Sequence, residues 1–329
     1  MVSILSIYIR LLLLGVTGYS ITQILMPISK KRKKKIKECL KHFIEDKKII
    51  NSLGDKPFIE DIELFEWGFK ATIDISKVTG YEDIEKHKDY IKQLFRAYEV
   101  DISNEEGKVI IEVINAKIDD LNYEFIELPS TTLLLGYDYK GIPIIVDMKK
   151  TSHVGVQGTS NTGKSKMVEL ALKNLRGADI VLLNCFSDDF TSIRARRING
   201  NENILVFLNE LVLDPYVRKR PLYLVLDELN VLGKDKKINQ VIIDILAQAR
   251  HFNIYLIALG QTLLKENCPY KHLFNVRVTF RAIDKSSISA FLGCAIENTK
   301  LNQREFICYS DSIYRGKSYM MKLETDQLK

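Results

Sequence analysis

The hydrophobic pattern of residues 131–329 alternates between short apolar runs and longer segments with helical spacing. The runs are rich in Val, Ile and Leu, which is typical of strands buried on both faces of a sheet. The intervening segments place apolar residues along one side of a helix, so we expect a mainly parallel sheet covered by helices. The predicted strands are 153–157, 179–184, 204–207, 222–226, 254–259 and 277–281, after a hairpin at 133–147, and the predicted helices are 166–175, 208–213, 238–252 and 286–292.

The preceding part of the chain predicts a smaller unit. Residues 63–75 and 108–114 have the alternation or the β-branched content of strands, and residues 81–98 have helical spacing between them. We therefore expect a small α/β module at 57–130, followed by the larger α/β domain at 131–329.

The N-terminus predicts a membrane anchor. Residues 1–28 are mostly apolar, with Arg10 as the only charge, and are about long enough to cross a bilayer. A basic run follows, where the positive-inside rule places a cytoplasmic flank. We expect a single-pass anchor at 1–29, a basic helical linker at 30–56 and the bulk of the chain in the cytoplasm, at the cell membrane. A helix on the membrane surface, or one packed against protein, is the alternative.

Composition narrows the classes of function. Seven basic residues lie between 30 and 37 with no acid among them, so a formal net charge of +6 for the whole chain leaves −1 for the remainder. Contacts with nucleic acid in the main body must therefore come from local basic patches. The five cysteines form no C-x-x-C pair, which argues against a disulfide framework or a zinc site and favours a reducing cytosol.

The strongest chemical signal is an eight-residue loop between a predicted strand and a predicted helix. It fits the pattern G-x-x-x-x-G-K-[ST] at every fixed position. In such a loop, backbone N–H groups turn toward phosphate oxygens, the lysine reaches the outer phosphates and the last hydroxyl ligates Mg²⁺. We expect an ATP site formed by Gly158, Thr159, Ser160, Asn161, Thr162, Gly163, Lys164 and Ser165.

Two further strand ends supply the other catalytic groups. The apolar run 222–226 ends in Asp227 and Glu228, and we assign Asp227 to the Mg²⁺ shell, with Ser165, and Glu228 to the activation of the attacking water. Gln261 follows the run 254–259 and is expected to sense the γ-phosphate or to hold the lytic water. A glutamine after a strand is more often a plain loop residue, so this role depends on the sheet placing it beside the nucleotide.

The order of these pieces resembles the motor domain of the FtsK/SpoIIIE class of DNA translocases, over roughly residues 131–315. The resemblance rests on Gly136-x-Asp138-x-x-Gly141-x-Pro143, His153, the phosphate loop, Asp227-Glu228-Leu229, Leu246 to Ile254 and Ala258-x-x-Gln261. Within the class, the size and the anchor look most like the coupling ATPases of Gram-positive conjugative elements. The resemblance implies a RecA-like P-loop NTPase core that hydrolyses ATP with Mg²⁺, assembles as a hexameric ring and moves DNA through its pore.

The resemblance also implies roles and partners. It places Arg250 where the class has an arginine that reaches the ATP of the neighbouring subunit, with Arg281 as the second candidate. An exposed cation at a helix end is the structural alternative for Arg250. The implied partners are DNA, further copies of this chain, the cytoplasmic membrane, and relaxase and transfer-channel proteins.

The sequence departs from the class in two places. Thr262-Leu263 stand where the class usually has Arg-Pro, and Asn230-Val231 stand where it has Ala-Asp. Three functions therefore stay open: a membrane-anchored DNA translocase that couples conjugative transfer, a protein-secretion ring ATPase, and a nucleotide-gated membrane scaffold without motor activity. Two basic groups are candidate DNA-binding patches or solvated loops, namely Arg194, Arg196 and Arg197, and Lys234, Lys236 and Lys237.

Overall fold

The computed structural model describes residues 29–76, 78–117, 120–185, 188–264, 268–282, 284–296 and 299–321. The chain divides into two compact units, Met1–Lys117 and Ile118–Lys329, whereas the sequence analysis placed this boundary between 130 and 131. Residues 1–28 of the expected anchor lie outside the described ranges. Within those ranges, no helix combines the length and the hydropathy needed to cross a bilayer.

The first unit is built on a four-stranded antiparallel sheet with the strand order β1-β2-β4-β3. The predicted strand at 63–75 is two strands of a hairpin, because a turn at residues 66–67 reverses the chain. The elements are α1 (29–46), β1 (Phe58–Phe65), β2 (Gly68–Asp74), α2 (Glu82–Glu85), α3 (Lys88–Leu94), β3 (Glu99–Glu105) and β4 (Lys108–Ile114).

Helix α1 contributes to the core of this unit. Its apolar residues Ile36, Leu40, Phe43 and Ile44 are buried in one cluster with residues of the sheet. Their spacing of three and four residues places them on one face of the helix. The basic residues 30–35 are exposed. The stretch interpreted as a linker therefore includes an amphipathic helix with a basic outer face.

The second unit is built on a ten-stranded sheet with the order β6-β5-β14-β13-β12-β7-β11-β10-β8-β9. Its strands are β5 (Thr132–Asp138), β6 (Pro143–Asp147), β7 (Val154–Gln157), β8 (Asp179–Leu183), β9 (Arg196–Ile198), β10 (Leu222–Leu226), β11 (Ile254–Gly260), β12 (Val276–Thr279), β13 (Glu305–Tyr309) and β14 (Ile313–Lys317). Strands β12, β7, β11, β10, β8 and β9 are parallel, and the other four add an antiparallel side. The expectation of a large, mainly parallel sheet is confirmed.

Helices cover this sheet on both faces. They are α4 (Met148–Thr151), α5 (Lys164–Lys173), α6 (Asn201–Leu213), α7 (Leu229–Leu232), α8 (Lys236–Gln248) and α9 (Lys285–Leu292), with 3-10 turns at Ala249–Phe252 and Lys271–Leu273. All residues of β10 and β11 are buried. In β10, Leu222, Leu224 and Leu226 face the cluster that includes α6 and α8, and Tyr223 and Val225 face the cluster that includes α5. This double burial explains the continuous apolar runs.

The prediction of a strand at 204–207 is wrong. These residues lie inside α6, which begins after Gly200 and buries Ile204, Phe207 and Leu208. Residues at i, i+3 and i+4 lie on one face of a helix, so the short β-branched run is outweighed by the longer helical period. The hairpin of β13 and β14 was not predicted.

The segment at 120–128 runs along α5. Near the start of the segment, Asp120 forms ion pairs with Arg304, at 2.5 Å, and with Lys317. Toward its end, the Tyr123 hydroxyl donates to the side chain of Asn174, and the Leu128 N–H donates to the Asn174 carbonyl, both at 2.8 Å. Because Asn174 caps the carboxyl end of α5, this segment, which we call the strap, is fixed to that helix.

Candidate active site

The phosphate loop joins β7 to α5 and is anchored to the ends of two neighbouring strands. The Gly158 N–H donates to the Gly260 carbonyl at 3.2 Å, and the Thr159 N–H donates to the Arg281 carbonyl at 2.9 Å. Gly158 has φ +150°, and a Cβ there would lie 2.6 Å from the Cβ of Phe280. The first glycine is thus required by both backbone conformation and space.

Lys164 and Ser165 are the first two residues of α5. Lys164 is buried, and its Nζ donates to the Thr159 carbonyl at 3.0 Å, so the ammonium lies against the loop. Burial lowers the pKa of Lys164, and the charges of Glu228, Asp227 and Asp189 oppose that shift. The loop cation and the acids at the end of β10 therefore share one site.

Asp227 and Glu228 follow β10 directly. Asp227 is buried, and its N–H donates to the Leu183 carbonyl at 3.1 Å, which fixes it to β8. Glu228 has a left-handed backbone with φ +53° and donates its N–H to Asp227 Oδ1 at 3.2 Å. Burial raises the pKa of Asp227 to about 6, and the like charges of Asp189 and Glu228 add to the effect.

This acidic group fits a magnesium ion bound with a nucleotide. A buried carboxylate that is raised in pKa by neighbouring acids is relieved by a divalent cation, and Mg²⁺ in phosphoryl-transfer sites takes one or two protein ligands plus phosphate oxygens and water. Asp227 and the Ser165 hydroxyl, at the start of α5, are the residues that would hold it.

Asp189 is a third acid that the sequence analysis did not single out. It lies between β8 and β9, and Arg197 donates to its backbone carbonyl and to that of Phe190. The charge of Asp189 raises the pKa of Asp227. The two acids are brought together because β8 pairs with β10 in the sheet. No local sequence motif indicates this interaction between Asp189 and Asp227, because it depends on the order of the strands in the sheet.

Gln261 lies directly after β11, on the side of the sheet that carries the phosphate loop. In the parallel pairing of β11 and β7, Gly260 is opposite Gln157, the last residue before the loop. Gln261 is exposed. The placement that the sensor role required is thus present, whereas the role itself stays a prediction.

The buried amide of Gln157 also belongs to the site and was not predicted. Its Oε1 accepts from the Leu263 N–H at 3.1 Å, and its Nε2 donates to the Thr279 hydroxyl and the Ser287 carbonyl, both at 3.2 Å. Gln157 therefore ties the connection after β11 to the strand that leads into the phosphate loop.

Arg250 lies at the opposite edge of the parallel strands. It is exposed in the 3-10 turn before β11, whereas the phosphate loop is level with the last residue of β11. The seven residues of that strand span about 20 Å, so Arg250 cannot reach the phosphate loop of its own chain. Burial and the charge of Arg250 lower the pKa of His153, just before β7, to about 4.

Arg281 lies instead at the edge of the sheet that carries the phosphate loop, which we call the site edge. It is exposed, and its carbonyl accepts hydrogen bonds from both the N–H and the hydroxyl of Thr159. Arg304 is a second cation there that the sequence analysis missed: its N–H donates to the Thr162 carbonyl at 3.0 Å, and its Cγ would lie 3.2 Å from a Cβ on Gly163. The strap reaches the phosphate loop through this residue.

The phosphate loop and the acids at the end of β10 have the arrangement of a P-loop nucleotide site, and the fold is similar to that of solved ATPases. No protein-family model matches the chain, and no curated protein matches it in sequence. Several solved structures share its fold at low sequence identity, so the expected resemblance to the FtsK/SpoIIIE class is confirmed for the fold.

Three of these structures are particularly informative. The pCW3 conjugation coupling protein TcpA, in a monomer form with ATPγS, has a TM-score of 0.55 and 16% identity, and the match covers 88% of this chain and 95% of that one. EssC (ATPases 2 and 3) from Geobacillus thermodenitrificans gives 0.52 and 10%, over 63% and 48%. The type VII secretion ATPase EccC from Thermomonospora curvata gives 0.50 and 17%, over 60% and 29%.

Proposed function

We propose that this chain is an ATP-driven DNA translocase, anchored in the cell membrane, that couples DNA to a conjugative transfer channel. One observation carries the proposal: the fold match to a conjugation coupling protein covers 88% of this chain and 95% of that one, so the two correspond over most of both chains. Three matches to EssC and EccC cover between 60% and 83% of this chain but at most 59% of the other chain.

On this proposal, each side chain at the site has a role in ATP hydrolysis. Lys164 binds the outer phosphates, with the N-terminal end of α5 adding positive potential. Ser165 and Asp227 would hold Mg²⁺, which would neutralise charge on the phosphates. Glu228 takes a proton from water as its oxygen attacks the γ-phosphorus and the bond to the β,γ-bridging oxygen breaks. Gln261 orients that water or contacts the γ-phosphate, and ADP and phosphate leave.

The membrane anchor is supported by the adjoining helix. Residues 30–35 of α1 are basic and exposed, directly after the apolar stretch at 1–28. Basic residues next to a span contact anionic lipid heads and favour the cytoplasmic side. On this proposal the ATPase unit is cytoplasmic, and the chain should fractionate with membranes. A chain starting at residue 29 that still fractionates with membranes would contradict the span.

The similarity to the type VII secretion ATPase EccC defines the second candidate, a protein-secretion ATPase. Both the coupling protein and EccC share this fold, so the fold does not separate the two candidates. A third candidate, a nucleotide-gated scaffold, is favoured by the departures at Asn230 and Thr262.

The test is cargo-stimulated ATP hydrolysis by the purified full chain. We expect duplex or single-stranded DNA to raise kcat, and Glu228→Gln to retain ATP binding but lose about a hundredfold or more in turnover, because the water loses its base. Stimulation by an extended peptide instead of DNA would favour secretion. ATP binding with no turnover under either condition would favour the scaffold.

A further inference from the structure

The two places where the sequence departs from the motor class are in contact with each other. Asn230 is the second residue of α7, two residues after Glu228, and Thr262 follows Gln261. The Nδ2 of Asn230 donates a hydrogen bond to the Thr262 carbonyl at 3.0 Å. One side-chain amide thus joins the connection that follows β10 to the connection that follows β11.

The end of β11 packs closely against this amide. A Cβ on Gly260 would lie 2.5 Å from Oδ1 of Asn230 and 2.6 Å from Cδ2 of Leu263. Gly260 does not have a positive φ, so the need for glycine is one of space. A larger residue at 260 would displace Asn230 or Leu263.

The peptide between Thr262 and Leu263, which follows Gln261, is held at both of its polar atoms. Asn230 donates to the Thr262 carbonyl at 3.0 Å, and the N–H of buried Leu263 donates to Gln157 at 3.1 Å. Gln157 is fixed in turn by Thr279. The side chain of Gln261 is exposed, and its backbone is held on one side by this peptide and on the other by Gly260, whose carbonyl accepts from the Gly158 N–H.

We propose that Asn230 is a positioning residue that holds Gln261 at a fixed distance from Glu228. This inference rests on the proposed function, since it assigns both residues to ATP hydrolysis. The hydrogen bond spans the two connections that carry them, so its loss lets Gln261 leave its place without disturbing Lys164. The role differs from nucleotide binding, which the phosphate loop performs.

The experiment compares Asn230→Ala with the full wild-type chain. We expect kcat to fall about five- to tenfold, the effect of losing one hydrogen bond from the transition-state arrangement, and KM for ATP to change less than about twofold. Gly260→Ala should reproduce this split, because its Cβ displaces the Asn230 amide. A change confined to KM would overturn the positioning role.

Asn239→Ala is the matched control. Asn239 also donates its amide to a backbone carbonyl, that of Gly233 at 2.6 Å, and accepts from the Tyr270 hydroxyl at 2.9 Å. This variant loses the same kind of bond, and Asn239 contacts the connection after β11 at Tyr270, well beyond the peptide between Thr262 and Leu263. We expect it to lower stability and to leave kcat unchanged.

Amide hydrogen exchange of residues 258–264 gives a readout that does not need turnover. In the nucleotide-free chain, Asn230→Ala should raise exchange there and Asn239→Ala should not. Unchanged exchange and unchanged kcat in Asn230→Ala would overturn the inference. Raised exchange in a chain whose wild type hydrolyses no ATP would overturn the proposed function while upholding the anchoring of Gln261 by Asn230.

Discussion

The parallel strands have charged groups at both ends, and these groups differ in how deeply they are buried. At the edge where the strands end, Lys164 and Asp227 are buried together. Burial lowers the pKa of Lys164 and raises that of Asp227, and the charge of each opposes the shift of the other. At the edge where they begin, Arg250 is exposed, and His153 beside it is buried with a pKa lowered to about 4, hence neutral at pH 7. One edge is thus organised to bind a charged ligand within the chain, whereas the other presents a cation outward.

This difference matters for whether the ATP site is formed by one copy of the chain or by two. If Arg250 assists ATP hydrolysis, the phosphate loop that it serves belongs to another copy, because about 20 Å of strand separates it from its own. If it does not, it is an exposed cation at the end of α8. Variants at each edge in turn distinguish these cases.

The largest effect is expected for Lys164→Ala at the site edge. The change removes the buried ammonium beside the phosphate loop, so ATP binding and turnover should both be lost. Binding of a fluorescent ATP analogue and phosphate release measure the two. Unchanged ATPase activity would move the nucleotide site away from this loop.

Arg250→Ala probes the opposite edge. Acting on the ATP of a neighbour, the guanidinium would be felt mainly in the transition state, so kcat should fall about a thousandfold with ATP affinity retained. Arg281→Ala is the comparison variant at the site edge. A larger loss of kcat there than in Arg250→Ala would reverse the assignment.

Mixing the Arg250→Ala and Lys164→Ala chains sharpens this test. Some mixed interfaces pair an intact phosphate loop with an intact Arg250, so partial recovery of ATPase activity is expected. Recovery should depend on the mixing ratio. If no ratio restores activity, Arg250 acts within its own chain or has a structural role.

A smaller effect is expected on stability, from Asp227→Asn. The folded-state pKa of Asp227 is about 6, above its ordinary value of 3.8, so the buried carboxylate destabilises the fold as pH rises from about 4 to about 6. Without nucleotide, the variant should be about 3 kcal/mol more stable at pH 8, and the difference should vanish near pH 4. Thermal unfolding at both pH values measures it, and a difference independent of pH would be inconsistent with the buried charge.

The smallest effects concern DNA. Arg194, just before β9, and Lys236 and Lys237, at the start of α8, are exposed at opposite edges of the strands. A side chain that neutralises one phosphate of duplex DNA adds about 0.9 to the salt slope of binding, so its removal should make the slope shallower by that amount. Comparing Arg194→Ala with Lys236→Ala/Lys237→Ala shows which edge faces DNA, and unchanged slopes in both would exclude these residues.

The three arginines at 194, 196 and 197 have different surroundings and cannot be tested as one group. Arg197 donates to the carbonyl of Asp189, and the guanidinium of Arg196 lies 5.2 Å from the centre of the Phe207 ring. Replacing all three would remove the hydrogen bond to Asp189, whose charge raises the pKa of Asp227. Arg194 is therefore the informative variant.

The sequence predicts this site wherever a single segment carries the information. The phosphate loop and Asp227-Glu228 combine an apolar strand with chemistry at its end, and the local pattern is enough to identify both. Asp189 and Arg304 were missed, and Asn230 was noted only as a departure from the class, because each reaches the site through strand order or through a loop contact. Likewise, the run at 204–207 has β-branched residues, and only its packing in α6 shows the helix.

The strap has a mechanical consequence. Tension applied to the chain upstream of Asp120 would be borne first by its ion pairs with Arg304 and Lys317. Arg304 passes load to the Thr162 carbonyl, and Asn174 holds the far end of α5. A force on the strap is therefore transmitted to the phosphate loop and to α5. A ligand that makes the loop more rigid would raise the force needed to break this attachment.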